Sequence, residues 1–118
     1  MALSTTVQSE NGVTVRESVI THVSTNDVFN GPKTLTHVRI DNQSGARIHI
    51  KLYDALDADD STVPTMIFSA PANTVRARPI GNGGFAFLVG VTMRGVTGPG
   101  TGGTTVPASS SVVDLTGE

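Results

Sequence analysis

Apolar and polar residues alternate most regularly between Leu35 and Asp54, in LTHVRIDNQSGARIHIKLYD, and a period of two predicts two half-buried β-strands. Val38 and Ile40 on the first strand, and Ile48, Ile50 and Leu52 on the second, fall on one face; Leu35 departs from that parity. A three-residue turn, Gln43 to Gly45, with Gly45 in the left-handed conformation, would close the pair as a hairpin. Its register opposes Ile40 to Ile48, Val38 to Ile50 and Asp41 to Arg47. In that register His37 lies opposite Lys51 and His49 opposite Arg39, on the outward face.

The segment Phe85 to Arg94, FAFLVGVTMR, reads as one strand with Phe85, Phe87, Val89, Val91 and Met93 on one face. Its other face is apolar near the start, which places it centrally in a sheet. Thr65 to Ser69 and Asn73 to Arg78 predict two shorter strands around Pro71 and Ala72, with Val75 and Ala77 pointing in and Arg76 and Arg78 out. The run GNGG at 81–84 is a turn. Weaker alternation marks Ser4 to Gln8, Val13 to Arg16 and Ser18 to Ser24, with Asn11 and Gly12 turning between the first two. Ser111 to Thr116 closes the chain as an edge strand. No helix is expected, because the only candidate turn, around Asp54 to Asp60, has too few apolar residues to hold against a sheet. About eight short strands with long surface loops argue for an all-β, single-domain β-sandwich or jelly roll over residues 1–118. Residues 1–9 form an N-terminal arm or edge strand, and the Gly/Thr/Pro/Ser-rich stretch 95–111 a long loop or arm that buries too little to offset its chain entropy.

Composition narrows the function. The chain has 118 residues, enough for one core. Only 15% are charged, against about 25% in ordinary globular proteins, so its surface is built from Thr, Ser, Asn and Gly and gives up little charge solvation when another surface arrives. The net charge of −2 supplies no field for phosphate binding, so no direct nucleic-acid partner is expected. The absence of cysteine removes disulfides, thiolate nucleophiles and Cys-based metal sites. The N-terminal MALSTTVQSENG lacks the basic and apolar regions of a secretory leader, and the apolar run Phe85 to Val91 is far too short for a membrane helix.

Few groups look chemical. Asp54, Asp57, Asp59 and Asp60 are a calcium candidate, but EF-hand spacing, its glycine and a closing bidentate Glu are missing, and a solvated loop explains them as well. His22, His37 and His49 do not suggest a metal site, since the last two would be surrounded by cations. Hydroxyls are many, yet no G-x-S-x-G elbow accompanies them. Catalytic, cofactor and metal residues are therefore not assigned, and no enzyme activity is expected. Arg39, Arg47, His49 and Lys51, joined by Arg76 and Arg78, could form a cationic stripe facing an acidic protein surface.

The hairpin IDNQSGARIHIKLYDA, the strand SAPANTVRARPI, the turn before GFAFLVGV and the arm leading to SSSVVDL together resemble small virion proteins of tailed bacteriophages. The likeness is to head decoration or cement proteins of sandwich or jelly-roll fold, and it covers about residues 35 to 116. The resemblance implies a non-enzymatic protein, assembled in the host cytoplasm, that binds the outside of an assembled head. Its partners would be the major capsid protein or other virion subunits, commonly engaged as a homotrimer whose several contacts add by avidity. Interface residues would come from the N-terminal segment (Ala2, Leu3, Val7), from the cations Arg39, Arg47, Lys51, Arg76 and Arg78, and from the arm (Thr97, Pro99, Thr101, Thr104, Val106, Pro107). The nearest alternative is a tail, baseplate or fibre-associated virion protein. A carbohydrate-binding module shares the sandwich, but this chain has no Trp and one Tyr from which to build a sugar platform.

Overall fold

The computed structural model describes residues 3–8, 12–17, 25–29, 31–58, 62–81, 83–97 and 111–118. They form ten strands: β1 (Leu3–Gln8), β2 (Gly12–Glu17), β3 (Thr25–Phe29), β4 (Lys33–Asn42), β5 (Ile48–Tyr53), β6 (Met66–Ala70), β7 (Thr74–Pro79), β8 (Phe85–Phe87), β9 (Val91–Val96) and β10 (Ser111–Gly117). Sheet A has the order β1-β2-β10-β4-β7, with β8 also pairing β4; sheet B has the order β3-β9-β5-β6. Every ladder is antiparallel, and no helix occurs among the described residues. The two antiparallel sheets give the all-β, sandwich-like architecture expected.

Both inner faces supply the core. Val15, Leu35, Val38, Ile40, Phe87, Val113 and Leu115 from sheet A meet Val28, Phe29, Ile48, Ile50, Leu52, Ala70, Val91 and Met93 from sheet B. The two strands read from the strongest alternation are present, and their inward sets are those the period of two gives. Their relationship is not a hairpin. β4 pairs with β10, β7 and β8, whereas β5 pairs with β6 and β9, so Ile40 and Ile48 are buried in opposite sheets instead of side by side in one. The connection is an arch between layers. Asp41 accordingly lies beside Val112 and Val75, not Arg47, and Gly45 does not take the left-handed conformation.

A buried polar knot holds this arch. Asn42 Nδ2 lies 2.8 Å from the carbonyl of Ala46, 3.1 Å from that of Ala70 and 2.9 Å from that of Pro71, sharing its two protons among three acceptors. Its Oδ1 accepts from the Ser44 amide at 3.0 Å and the Ser44 hydroxyl at 2.6 Å. The turn after β6 comes back to the same place, where Asn73, left-handed at φ 53°, donates its N–H to the Ser44 carbonyl. One amide thus ties β4→β5 to β6→β7, two of the crossovers between the layers.

Other departures from the expected pattern have local causes. A register shift between Thr116 and Gly117 leaves Thr36 unopposed and turns Leu35 inward, which accounts for its parity. β10 is central in sheet A, not an edge, since both β2 and β4 pair with it. The run Phe85 to Arg94 is two strands that change sheets at Leu88–Gly90; only β9 is central, and Phe85 and Val89 are exposed. β7 has inverted parity. Arg76 and Arg78 lie opposite Ile40 and Val38 on the inward-facing side, and Val75 and Ala77 are exposed on the outward one. The N-terminal hairpin forms with Gly12 inside β2, opposite Gln8. The strand expected at Ser18 to Ser24 lies outside the described residues; β3 follows it.

Candidate interaction site

The break between β8 and β9 builds the most distinctive surface. Asp54, just past β5, points its carboxylate at three successive backbone amides: Leu88 donates to Oδ2 at 3.0 Å, and Val89 and Gly90 donate to Oδ1 at 2.8 and 3.4 Å. Partial desolvation pushes the Asp54 pKa up, but the three backbone donors outweigh it and the net shift is downward. The Asp54 amide donates to Thr65 Oγ1 and the Thr92 hydroxyl donates to the Ala55 carbonyl, both at 2.9 Å, so both ends of the loop are fixed. Gly90 allows close approach: a Cβ there would lie 2.8 Å from both Leu56 Cδ2 and the Phe29 carbonyl oxygen.

This bracing holds apolar side chains in water. Leu56, Leu88 and Val89 are 47%, 73% and 49% exposed, on loops tied to one carboxylate at one end of the sandwich. Exposed aliphatic residues scattered singly need no explanation, but three on loops joined by one carboxylate make this apex a candidate contact surface. Periodicity missed this apex because FAFLVGV scores as one strand. The signal available was Asp54 placed immediately after the strand ending at Tyr53.

Sheet A carries a second feature on its outer face. Asp114 on β10 takes a bidentate pair from Arg16 on β2, Nε to Oδ1 at 2.8 Å and Nη2 to Oδ2 at 3.1 Å, and these bonds raise the Arg16 pKa. Arg39 on β4 approaches Asp114 from the other side at 3.6 Å. Next to this row, a Thr14–Thr116 hydroxyl contact of 2.8 Å borders a shallow groove of about 340 Å³ that reaches Ala77 and Pro79 on β7.

The cationic stripe is not assembled as expected. Arg39, Arg76 and Arg78 belong to sheet A, with the last two on the opposite face from the first; Arg47 is exposed between the sheets' strands, and Lys51 is fully buried on β5 beside Arg94, which donates to Tyr53 Oη at 3.3 Å. His37 lies beside Thr116 and Pro79 instead of Lys51, and His49 beside Ser69 and Val96 instead of Arg39. His49 Nδ1 is 2.7 Å from Ser69 Oγ; desolvation first, then Arg47 and Lys51, lower its pKa. No carboxylate hydrogen-bonds that ring among the described residues, so the pair lacks the third member of a triad.

Among the described residues no group of three His, Asp or Glu is placed to hold a metal ion. Asp54 is committed to backbone amides and Asp57 is exposed; Asp59 and Asp60 lie outside the described residues. Leu3 and Val7 belong to β1, the edge of sheet A, and Thr97 follows β9 directly, since Gly95 and Val96 are buried strand residues and not the start of an arm. Ala2, Pro99, Thr101, Thr104, Val106, Pro107 and His22 fall outside the described residues.

No protein-family model matches the sequence, and a comparison with curated proteins finds no match. Among solved structures, the chain is similar to the coat protein of Tobacco streak virus, at 11% identity and a TM-score of 0.40, over 98% of this chain and 84% of that one. It is a weak and remote resemblance to a viral coat-protein fold, and no residue role is carried across from it. It does correct one expectation. The similar protein comes from a plant virus, so the bacteriophage assignment drawn from the sequence resemblance is not kept.

Proposed function

We propose that this chain is a non-enzymatic structural subunit of a virus particle, a cement-type protein that binds the outer surface of an assembled shell of coat subunits and stabilises it. The observation that carries the reading is the braced apex, in which Asp54 fixes Leu88 and Val89 beside Leu56 on a rigid two-sheet body. Such a preformed apolar contact loses little conformational freedom on docking, and at about 25 cal/mol per Å² its burial favours association. Engagement as a homotrimer would multiply a weak contact by effective concentration, with avidity about 10²- to 10⁴-fold above one site when the geometry matches.

The test is reconstitution. Particles stripped of the protein are re-incubated with wild-type chain or with Leu88→Asp, and bound copies and the temperature of shell disruption are measured. Wild-type chain should rebind and raise that temperature; the variant, folded in solution, should do neither. Equal rebinding by both would reject the apex as the contact.

A further inference from the structure

Among the described residues β7 ends sheet A, and its ladder partner there is β4. The alternate N–H and C=O groups that an edge strand directs away from its sheet are available to another extended chain. Inverted parity gives this edge an unusual charge. Arg76 and Arg78 project on one face and, among the described residues, neither has an ion pair. On the other face Arg39 stands in the row of Ala77, and its nearest carboxylate, Asp114, is already held bidentately by Arg16. The outer groove beside the strand is lined by His37, Arg39, Ala77, Pro79, Asp114 and Thr116. Two acids oppose the pattern: Asp114, in the row of Arg39 and Ala77 but paired with Arg16, and Asp41, in the row of Val75, where Gln43 Nε2 approaches it at 3.4 Å.

We propose that β7 is a docking edge for an extended acidic segment of a partner protein, which adds as a further strand of sheet A. Successive side chains of an added strand point to opposite faces, so acidic residues opposite Arg78, Ala77 and Arg76 would meet Arg78, Arg39 and Arg76 in turn. The residue opposite Val75 would be apolar, because a carboxylate there would face Asp41. A second copy of this chain is disfavoured as the occupant, since two β7 edges would bring like charges together. The carboxylate–guanidinium fork supplies directional, charge-assisted bonds that strand pairing alone does not.

The edge is separate from the apex, and its test distinguishes the two. Isotope-labelled full chain is titrated with a capped peptide Thr-Glu-Glu-Glu-Val-Thr, with the same peptide carrying Gln for Glu, and with a single-stranded oligothymidylate. Backbone shifts and slowed amide exchange confined to β7, with a shift at Arg39 Nε, are expected for the Glu peptide. Arg78→Glu and Arg39→Glu should each weaken it about tenfold, the effect of losing one charge-assisted contact. A Lys-for-Glu peptide should recover binding to Arg78→Glu, which also shows that variant to be folded. Leu88→Asp should leave peptide binding unchanged. Equal affinity for the Gln peptide, shifts mapping away from β7, or displacement of the peptide by the oligothymidylate would overturn the proposal.

Discussion

Val89 donates its backbone N–H to Asp54 Oδ1 at 2.8 Å, although 35 positions separate them in sequence. With the Leu88 and Gly90 amides on the same carboxylate, this contact turns a run that scores as one strand into two strands of different sheets with a fixed apolar apex between them.

Asp54→Asn keeps one carbonyl acceptor but loses the charge and the second acceptor oxygen. Stability should fall by about 1 kcal/mol, the scale of a half-exposed hydrogen-bonded carboxylate, measured by denaturant midpoint at neutral pH. The dependence on pH has a definite sign. Because the folded pKa lies below the unfolded one, the contribution is complete above about pH 4 and disappears as pH falls through the folded value. Wild type and variant should therefore converge in acid; a gap that widened there would contradict the amide cradle.

Asn42→Leu removes the donor to the buried Ala70 carbonyl and the half-buried Pro71 carbonyl, and takes the acceptor from the buried Ser44 amide, while the Ala46 carbonyl keeps the Ser44 hydroxyl. A loss of about 2 to 4 kcal/mol is expected. Asn42→Asp should be at least as damaging, because a carboxylate facing three carbonyls accepts where donation is needed. Equilibrium unfolding of both variants checks the order.

Two glycines should respond oppositely to alanine. Gly84 has φ +105°, and a Cβ there would lie 2.5 Å from the Leu35 carbonyl oxygen, so Gly84→Ala should cost at least about 1 to 2 kcal/mol. Gly45 is not left-handed and a Cβ there meets nothing within 4 Å, so Gly45→Ala should be neutral or stabilising by up to about 1 kcal/mol. Had Gly45 closed a hairpin bulge, the same change would be destabilising, so thermal unfolding of the two variants separates the arch from the hairpin.

Period-two alternation made Val38, Ile40, Ile48, Ile50 and Leu52 legible as core, since it reports which face of each strand is dry. It did not report which strand lies next to which. The same alternation serves a hairpin within one sheet and an arch between two, and the deciding feature, Asn42 reaching the Ala70 and Pro71 carbonyls, joins residues far apart in sequence. β7 misled for a related reason: at an edge beyond the main core, long Arg76 and Arg78 side chains can occupy the inward-facing side and still reach water, so polarity stops reporting direction. The apex was hidden because Leu88 and Val89 look like strand residues until Asp54 is placed beneath them. Arg39 was legible as a surface cation, but not its alignment with Asp114 and Arg16, which depends on β10 being central.

The proposed grip through the apex requires this chain to be a component of the particle. Quantitative mass spectrometry of purified virus particles, with a density map of their surface, measures this directly. A fixed ratio of this chain to coat subunits is expected, with density that places Leu56, Leu88 and Val89 against the shell, and loss of both when Leu88→Asp replaces the wild type. Absence of the chain from particles, or full occupancy by the Leu88→Asp chain, would contradict it.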